Sequence, residues 1–224
     1  MTDTLPHEWV RVHAGARPDA PAVTFADGSI SYAELDRRAN AHAQALVDDG
    51  VRSGDVVPVA AAVTLETVVS LIAVPLIGAV PAPYGPYRVD AADVAGSAYV
   101  IVPTSGSAGH SRGVVLTSAN VIAAVEASRR RLRNDSGDRW LLTLPLFHVG
   151  GLSVVWRSFA AGGSIELHER FDAAAATRSF RERSVSMASL VPTMLQRILE
   201  VDPGPYGGIK GVLLGGAPAT RELV

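Results

Sequence analysis

The chain has 224 residues, 48% of them apolar, and 22 acidic against 20 basic side chains for a net charge of −2. That is enough apolar material for one large domain or two small ones, and too little net charge to draw in nucleic acid or an anionic membrane surface. Cysteine is absent, which excludes disulfides, thiol nucleophiles and cysteine-ligated metal and fits a reducing cytoplasm.

From Met1 to Arg11 the chain mixes Asp3, His7 and Glu8 with few apolar residues and does not read as a secretory signal. Segments 22–25 and 29–31 flank Asp27-Gly28, a hairpin signal. Ser31 and Glu34 fit the capping box S-x-x-E, and Leu35, Ala39, His42, Ala43 and Leu46 recur at helical spacing, so a helix is expected over 32–49. A strand at 55–62, a helix at 65–76 and a short strand at 78–81 make a β-α-β unit. The apolar run 68–80 is too short to cross a bilayer and carries Pro75 and Gly78, so it reads as buried helix and strand. A polar connector, 87–98, separates this first α/β part, 1–86, from a second, 99–224.

Segment 99–103 reads as a strand delivering the loop Thr104-Ser105-Gly106-Ser107-Ala108-Gly109-His110-Ser111-Arg112-Gly113. Glycines let main-chain N–H groups approach an anion, hydroxyls donate further hydrogen bonds, and Arg112 offers a forked cation: the chemistry of a phosphate loop. The same composition also makes a plain turn, and neither the Walker spacing nor G-x-G-x-x-G is present. Ser118 is expected to cap a helix at 119–132, where Arg129, Arg130, Arg131 and Arg133 form a solvated carboxyl end. Strands follow at 140–144, 164–167, 186–190 and 211–214, with helices at 150–161, 173–183 and 193–200. This alternation predicts an α/β fold: mainly parallel sheet covered by helices on both faces.

Ligands of such sheets bind beyond the carboxyl ends of the strands. Besides the loop, two clusters sit there: Pro145-Leu146-Phe147-His148-Val149-Gly150-Gly151, and Leu213-Leu214-Gly215-Gly216-Ala217-Pro218. His148 can serve as general base, as donor to a carboxylate or as a satisfied core histidine. The bare backbone at 215–216 can lie against a flat ring or simply turn. Ser189-Leu190-Val191-Pro192-Thr193 reads as a strand end and helix start, with Thr193 a ligand candidate.

These clusters resemble, in order, those of the adenylate-forming acyl-CoA synthetases. Thr104 to Val114 is similar to T-S-G-[ST]-T-G-x-P-K-G-V, with Ala108, Ser111 and Arg112 standing where that family has threonine, proline and lysine. Pro145 to Gly151 resembles P-L-[FY]-H-x-x-G, Val191 to Thr193 its V-P-T segment, Leu213 to Pro218 its L-L-x-G-G-A-P, and Gly28 to Leu35 its G-x-x-[ST]-Y-x-E-L. Segments 151–158 and 193–197 look most like the o-succinylbenzoate–CoA ligases of menaquinone biosynthesis.

The resemblance implies a reaction in which a carboxylic acid, ATP and coenzyme A react by way of an acyl-adenylate, with Mg²⁺. It implies that Thr104, Ser105, Gly106, Ser107, Ala108, Gly109, Arg112 and Gly113 meet the β- and γ-phosphates, and that Gly215, Gly216, Ala217 and Pro218 face adenine and the acyl tunnel. His148 is implied beside the acyl carboxylate as the catalytic candidate, with Phe147, Gly151 and Thr193 around the acid. Arg197 or Arg157 could meet a second carboxylate, although each also reads as structural. No residue is assigned to metal, and neither nucleic acid nor membrane is expected as a partner.

Two departures shape the expectation. The family continues into a Y-G-x-T-E motif, a ribose-binding aspartate, a hinge and a small domain bearing a catalytic lysine. Lys210, the sole lysine, does not match that lysine. The sequence thus reads as an amino-terminal portion, expected not to form acyl-adenylate at a normal rate unaided. A second copy or a complementing carboxyl-terminal half are the protein partners left open. The stretch between Pro86 and Tyr99 is also shorter than the strand-helix-strand unit usual there. A non-catalytic binding or interaction module, and an adenylation domain loading a carrier protein, are the alternatives.

Overall fold

The computed structural model describes residues 4–83, 98–103, 113–220 and 223. Most of the connector, and the loop from Thr104 to Arg112, therefore lie outside the described residues.

The amino-terminal helix α1 (Trp9–Ala16) buries Trp9 and Val10. The expected hairpin forms: β1 (Pro21–Phe25) and β2 (Gly28–Ser31) pair antiparallel, with Phe25 opposite Gly28. Helix α2 (Tyr32–Asp48) begins where Ser31 Oγ accepts the Glu34 N–H at 3.2 Å. Only this half of the expected capping box forms. The Glu34 carboxylate turns instead to Arg37 at 2.8 Å and Arg38 at 2.6 Å, one helical turn on.

Strand β3 (Val56–Val59), helix α3 (Leu65–Leu76) and strand β4 (Val80–Pro83) complete the β-α-β unit, β3 and β4 running parallel. Strand β5 (Ala98–Pro103) pairs antiparallel with β6 (Gly113–Thr117), a strand the sequence reading placed at the end of the loop. Val80 and Ala82 of β4 pack with Ile101 of β5 and Val115 of β6. Thr117, not Ser118, caps helix α4 (Ser118–Leu132): its hydroxyl accepts the Asn120 N–H at 3.1 Å while Asn120 Oδ1 accepts the Thr117 N–H at 3.0 Å. This reciprocal box satisfies two main-chain donors and leaves Ser118 inside the helix.

The rest alternates strictly: β7 (Arg139–Leu142), α5 (Val149–Ala161), β8 (Ser164–Leu167), α6 (Ala173–Glu182), β9 (Met187–Leu190), α7 (Pro192–Val201) and β10 (Gly211–Leu214). The main sheet has six strands in the order β10-β9-β7-β8-β1-β2, parallel except at the β1–β2 edge. Because β1 pairs with β8, the hairpin at the start of the chain belongs to the sheet built by its end, and the sequence division at 86 does not divide the sheets.

Side-chain alternation along the strands splits the core in two. Trp140, Leu142, Ile165 and Met187 face α5 and the amino-terminal helices, among Tyr32, Leu35 and Leu152. Leu141, Ala188 and Leu190 face the other way, onto Ala176 and Phe180 of α6 and Ile198 of α7. Layers of helix on both faces leave the two ends of the strands as the places where polar chemistry can gather.

Candidate functional site at the carboxyl edge of the main sheet

Parallel registry fixes that edge: Leu142 lies opposite Leu167, and Leu214 opposite Leu190. The segments leaving β7, β9 and β10 are among those singled out from sequence, and the fold brings Phe147-His148, Val191-Pro192-Thr193 and Gly215-Gly216 to one edge.

Leaving β7, Leu146 buries its side chain fully and donates its N–H to Ala61 O at 3.2 Å, which pins the turn to the segment after β3. His148 is extended at φ −100° and ψ 142°, the N-cap geometry of α5, and its carbonyl accepts from Gly151 at 3.1 Å and Leu152 at 3.2 Å. Its imidazole makes no cap hydrogen bond and is exposed, so the core-histidine reading does not hold. The ring lies 4.1 Å from that of Phe147, centroid to centroid, tilted by 46°. Gly151 is required for space: a Cβ there would stand 2.5 Å from Pro145 O and 2.6 Å from Leu144 O. The glycine thus lets α5 start hard against the turn that carries His148.

Val191 opens α7 in extended conformation, with Pro192 in the first turn, where its missing N–H costs nothing. Gly215 N–H donates to Leu190 O at 3.2 Å, and Gly216, at φ +80°, would bring a Cβ to 3.1 Å of Val191 Cγ1. Residues 215–220 and Thr193 are exposed. Pro103 and Gly113, which flank the predicted phosphate loop in sequence, are paired in the β5–β6 ladder.

Several candidates are placed elsewhere or otherwise engaged. Arg197 is exposed on α7, and Arg157 lies over the Trp140 ring at 5.6 Å, with burial holding its pKa below the ordinary value. Lys210 sits at the amino edge, where Nζ meets Asp138 Oδ1 at 2.8 Å, across the sheet from the site. Burial would raise the Asp138 pKa; hydrogen bonds from Lys210, Ser186 and the Asp135 N–H outweigh it and hold the carboxylate below the usual range. Glu166, fully buried on β8, behaves alike: burial raises it, but the neighbouring His168 ring, 3.8 Å away, and hydrogen bonds from Thr24 and Arg183 bring it below the ordinary value. Arg183 also donates to Phe25 O at 2.7 Å, tying α6 to the hairpin.

The structure adds residues that the motifs did not flag. A cavity of about 440 Å³ opens beside Phe147, lined by Ala61, Val63, Thr143, Pro145, Arg170 and Met194, among others. Thr143 directly follows β7 and Arg170 lies three residues after β8, so the carboxyl-end rule could have found them. Among the described residues no group of three His, Asp or Glu side chains is placed to hold a metal ion, and no helix is long and apolar enough to cross a membrane.

A bare exposed backbone at 215–218, an accessible imidazole, and a mixed cavity suit a flat base and an acid. The chain is 42% identical over 128 residues to the 2-succinylbenzoate--CoA ligase of Bacillus licheniformis, covering 57% of this chain and 27% of the relative. It is 26% identical over 276 residues to the enzyme of the same name from Oceanobacillus iheyensis, covering all of this chain and 57% of the relative. The chain thus spans little more than half the length of these relatives at most. That the second match extends over 276 residues, against 224 here, means the relative carries stretches this chain lacks. The o-succinylbenzoate coenzyme A synthetase of Bacillus subtilis in complex with AMP superposes with a TM-score of 0.85 at 25% identity, covering 96% of this chain and 68% of that one. The same synthetase with ATP and magnesium ion gives 0.85 at 26% identity, covering 96% and 56%. The family model described as AMP-binding enzyme matches residues 10–96 and 87–224, two pieces that meet at the short connector, and with nearly the whole chain matched the protein belongs to the AMP-binding enzyme family.

Proposed function

We propose that this chain is the nucleotide- and acid-binding part of an ATP-dependent acid–CoA ligase of the 2-succinylbenzoate type. The observation that carries the reading is the meeting of His148, Thr193 and Gly215-Gly216 at one strand edge, in a chain similar to ligases of that name.

In the proposed reaction a carboxylate oxygen of the acid bonds to the α-phosphorus of ATP and pyrophosphate leaves. The sulfur of coenzyme A then bonds to the acyl carbon and AMP leaves. Negative charge gathers on phosphate oxygens in the first step, and fixed donors stabilise it most where water is excluded. Thr104, Ser105, Ser107 and Arg112, with the main chain of Gly106, Ala108, Gly109 and Gly113, would serve the β- and γ-phosphates. Mg²⁺, when bound, would supply further charge neutralisation on the phosphates. His148, exposed at the start of α5, would orient the reacting carboxylate by hydrogen bonding. Gly215 to Pro218 would present a surface without bulk to adenine. Arg112, in place of lysine, keeps the charge while altering reach and geometry.

The test is thermal denaturation of the 224-residue chain with sulfamoyl-adenosine analogues of acyl-adenylates. A rise in melting temperature with the 2-succinylbenzoyl analogue, larger than with a long-chain fatty-acyl analogue, supports the reading. No shift with any analogue refutes it.

A further inference from the structure

The amino-terminal segment docks on the rest of the fold through rings whose polar atoms find no partners. A single 3₁₀ turn, Pro6–Glu8, leads into α1, and together they bury Pro6, Trp9 and Val10. His7 stacks on Tyr99 of β5, ring centroids 6.1 Å apart at 15°, and His13 lies 5.2 Å from the Tyr32 ring of α2. Yet His7 Nδ1, Trp9 Nε1 and His13 Nε2 are all buried without a hydrogen-bond partner. Among the described residues only seven side-chain atoms share that condition, so three within one short segment mark it as an imperfect fit. Apolar contact holds it, together with Arg17, which donates to Gly162 O.

A protonated imidazole carries a hydrogen on both nitrogens. In the docked segment one of those hydrogens would sit on a buried atom with no acceptor, at His7 and at His13 alike, which opposes charging. The surrounding charges do not relieve this. Glu8 is the charge that acts on His7, and it favours the proton less than burial disfavours it; Glu66 of α3, and Glu126 and the terminal arginines of α4, on the helices packed against the turn, do not act on it. At His13 the acting charge is Arg17, of like sign, while α2 presents the neutral Tyr32 ring and α5 the Phe159 carbonyl. Burial, joined at His13 by Arg17, holds both rings below the ordinary 6.5. The released segment takes up protons that the docked one refuses, so docking is firm above 6.5 and weakens as pH falls below it.

We infer that residues 6–16 form a pH-released clasp: protons on His7 and His13 lift the turn and α1 from Tyr99 and Tyr32 while the main sheet stays folded. Lifting uncovers Tyr99, on the strand that precedes the predicted phosphate loop. The inference stands apart from the ligase reading, since it uses no residue of the candidate site.

The experiment is amide hydrogen exchange of the 224-residue chain at pH 7.5 and 5.5, read by mass spectrometry and normalised at each pH to the exchange of the unfolded chain. Amides of residues 6–16 are expected to lose protection by about threefold to tenfold at the lower pH, while those of β7 and β8 change by less than about twofold. The double variant His7→Gln/His13→Gln, neutral at both pH values, should hold the segment's protection within about twofold between them. Each single variant should show a smaller loss than wild type, which keeps the test in force if the double variant does not fold. No loss in wild type, a loss shared equally by β7 and β8, or a loss as large in both single variants as in wild type overturns the inference.

Discussion

Two glycines of the site are alike in sequence and opposite in physical demand. At Gly151 an added Cβ would meet two carbonyl oxygens at 2.5 and 2.6 Å, whereas at Gly215 nothing lies within 4 Å. Gly151→Ala should therefore cost about 1–3 kcal/mol through overpacking, even after the gain in helix propensity, and should displace the turn that presents His148. Gly215→Ala should change stability by less than about 0.5 kcal/mol. Chemical denaturation of both variants decides the matter, and equal effects would refute this account of the turn. Charges at the amino edge give a second test. The Asp138 pKa in the folded chain lies below its ordinary 3.8. Its contribution is therefore present above that value and lost as pH falls through the lower, folded-state pKa. Asp138→Asn should lower stability at neutral pH and flatten the acid fall that sets in below the ordinary 3.8, measured as urea midpoints. An acid limb unchanged in the variant would refute the assignment. At this scale the sequence spoke unevenly. His148 and the glycine pair stood inside recognisable strings, but Thr143 and Arg170 lie outside them and line a cavity that only folding creates. The reason Gly151 must be glycine was equally hidden, since the carbonyls it meets belong to a turn whose path no local pattern specifies.

At the scale of elements, local physics wrote most of the structure. Asp27-Gly28 marked the hairpin because its backbone suits a tight connection, and α2 followed from a capping serine and apolar residues at helical spacing. Strands β8 and β10 fell where apolar runs between turn residues placed them. Two elements escaped. Helix α1 commits only Trp9 and Val10 to the core, too short a stripe to show as a periodicity. Strand β6 runs straight into a helix cap, so Gly113 to Thr117 read as the end of a loop, and its pairing with β5 is a contact between segments. The cap itself gives a test. Thr117→Ala should destabilise the fold by about 1 kcal/mol, because Asn120 loses the acceptor for its N–H. Ser118→Ala should cost little or stabilise, since serine is a poorer helix former than alanine. Thermal melts with the reverse ranking would restore Ser118 as the cap.

For the molecule as a whole, the six-stranded sheet separates two kinds of polar chemistry. Its amino edge holds Lys210 against Asp138 at 2.8 Å, a pairing that joins the last strand to the start of β7. Its carboxyl edge holds exposed His148, Thr193 and Gly215 to Pro218, where little in the fold needs them. That separation is the physical basis for reading one end as scaffold and the other as site. It was legible in the sequence only as an order of segments; the registry of β7, β9 and β10 turned that order into a place. The account's central claim is that nucleotide and acid meet at this carboxyl edge. The most direct measurement is a crystal structure of the chain with the 2-succinylbenzoyl sulfamoyl-adenosine analogue. The expected result places adenine against Gly215 to Pro218, the acyl carbonyl within hydrogen-bonding reach of His148 and the acyl arm in the cavity beside Phe147. A ligand seated elsewhere on the sheet, at the Lys210 edge for example, would contradict it.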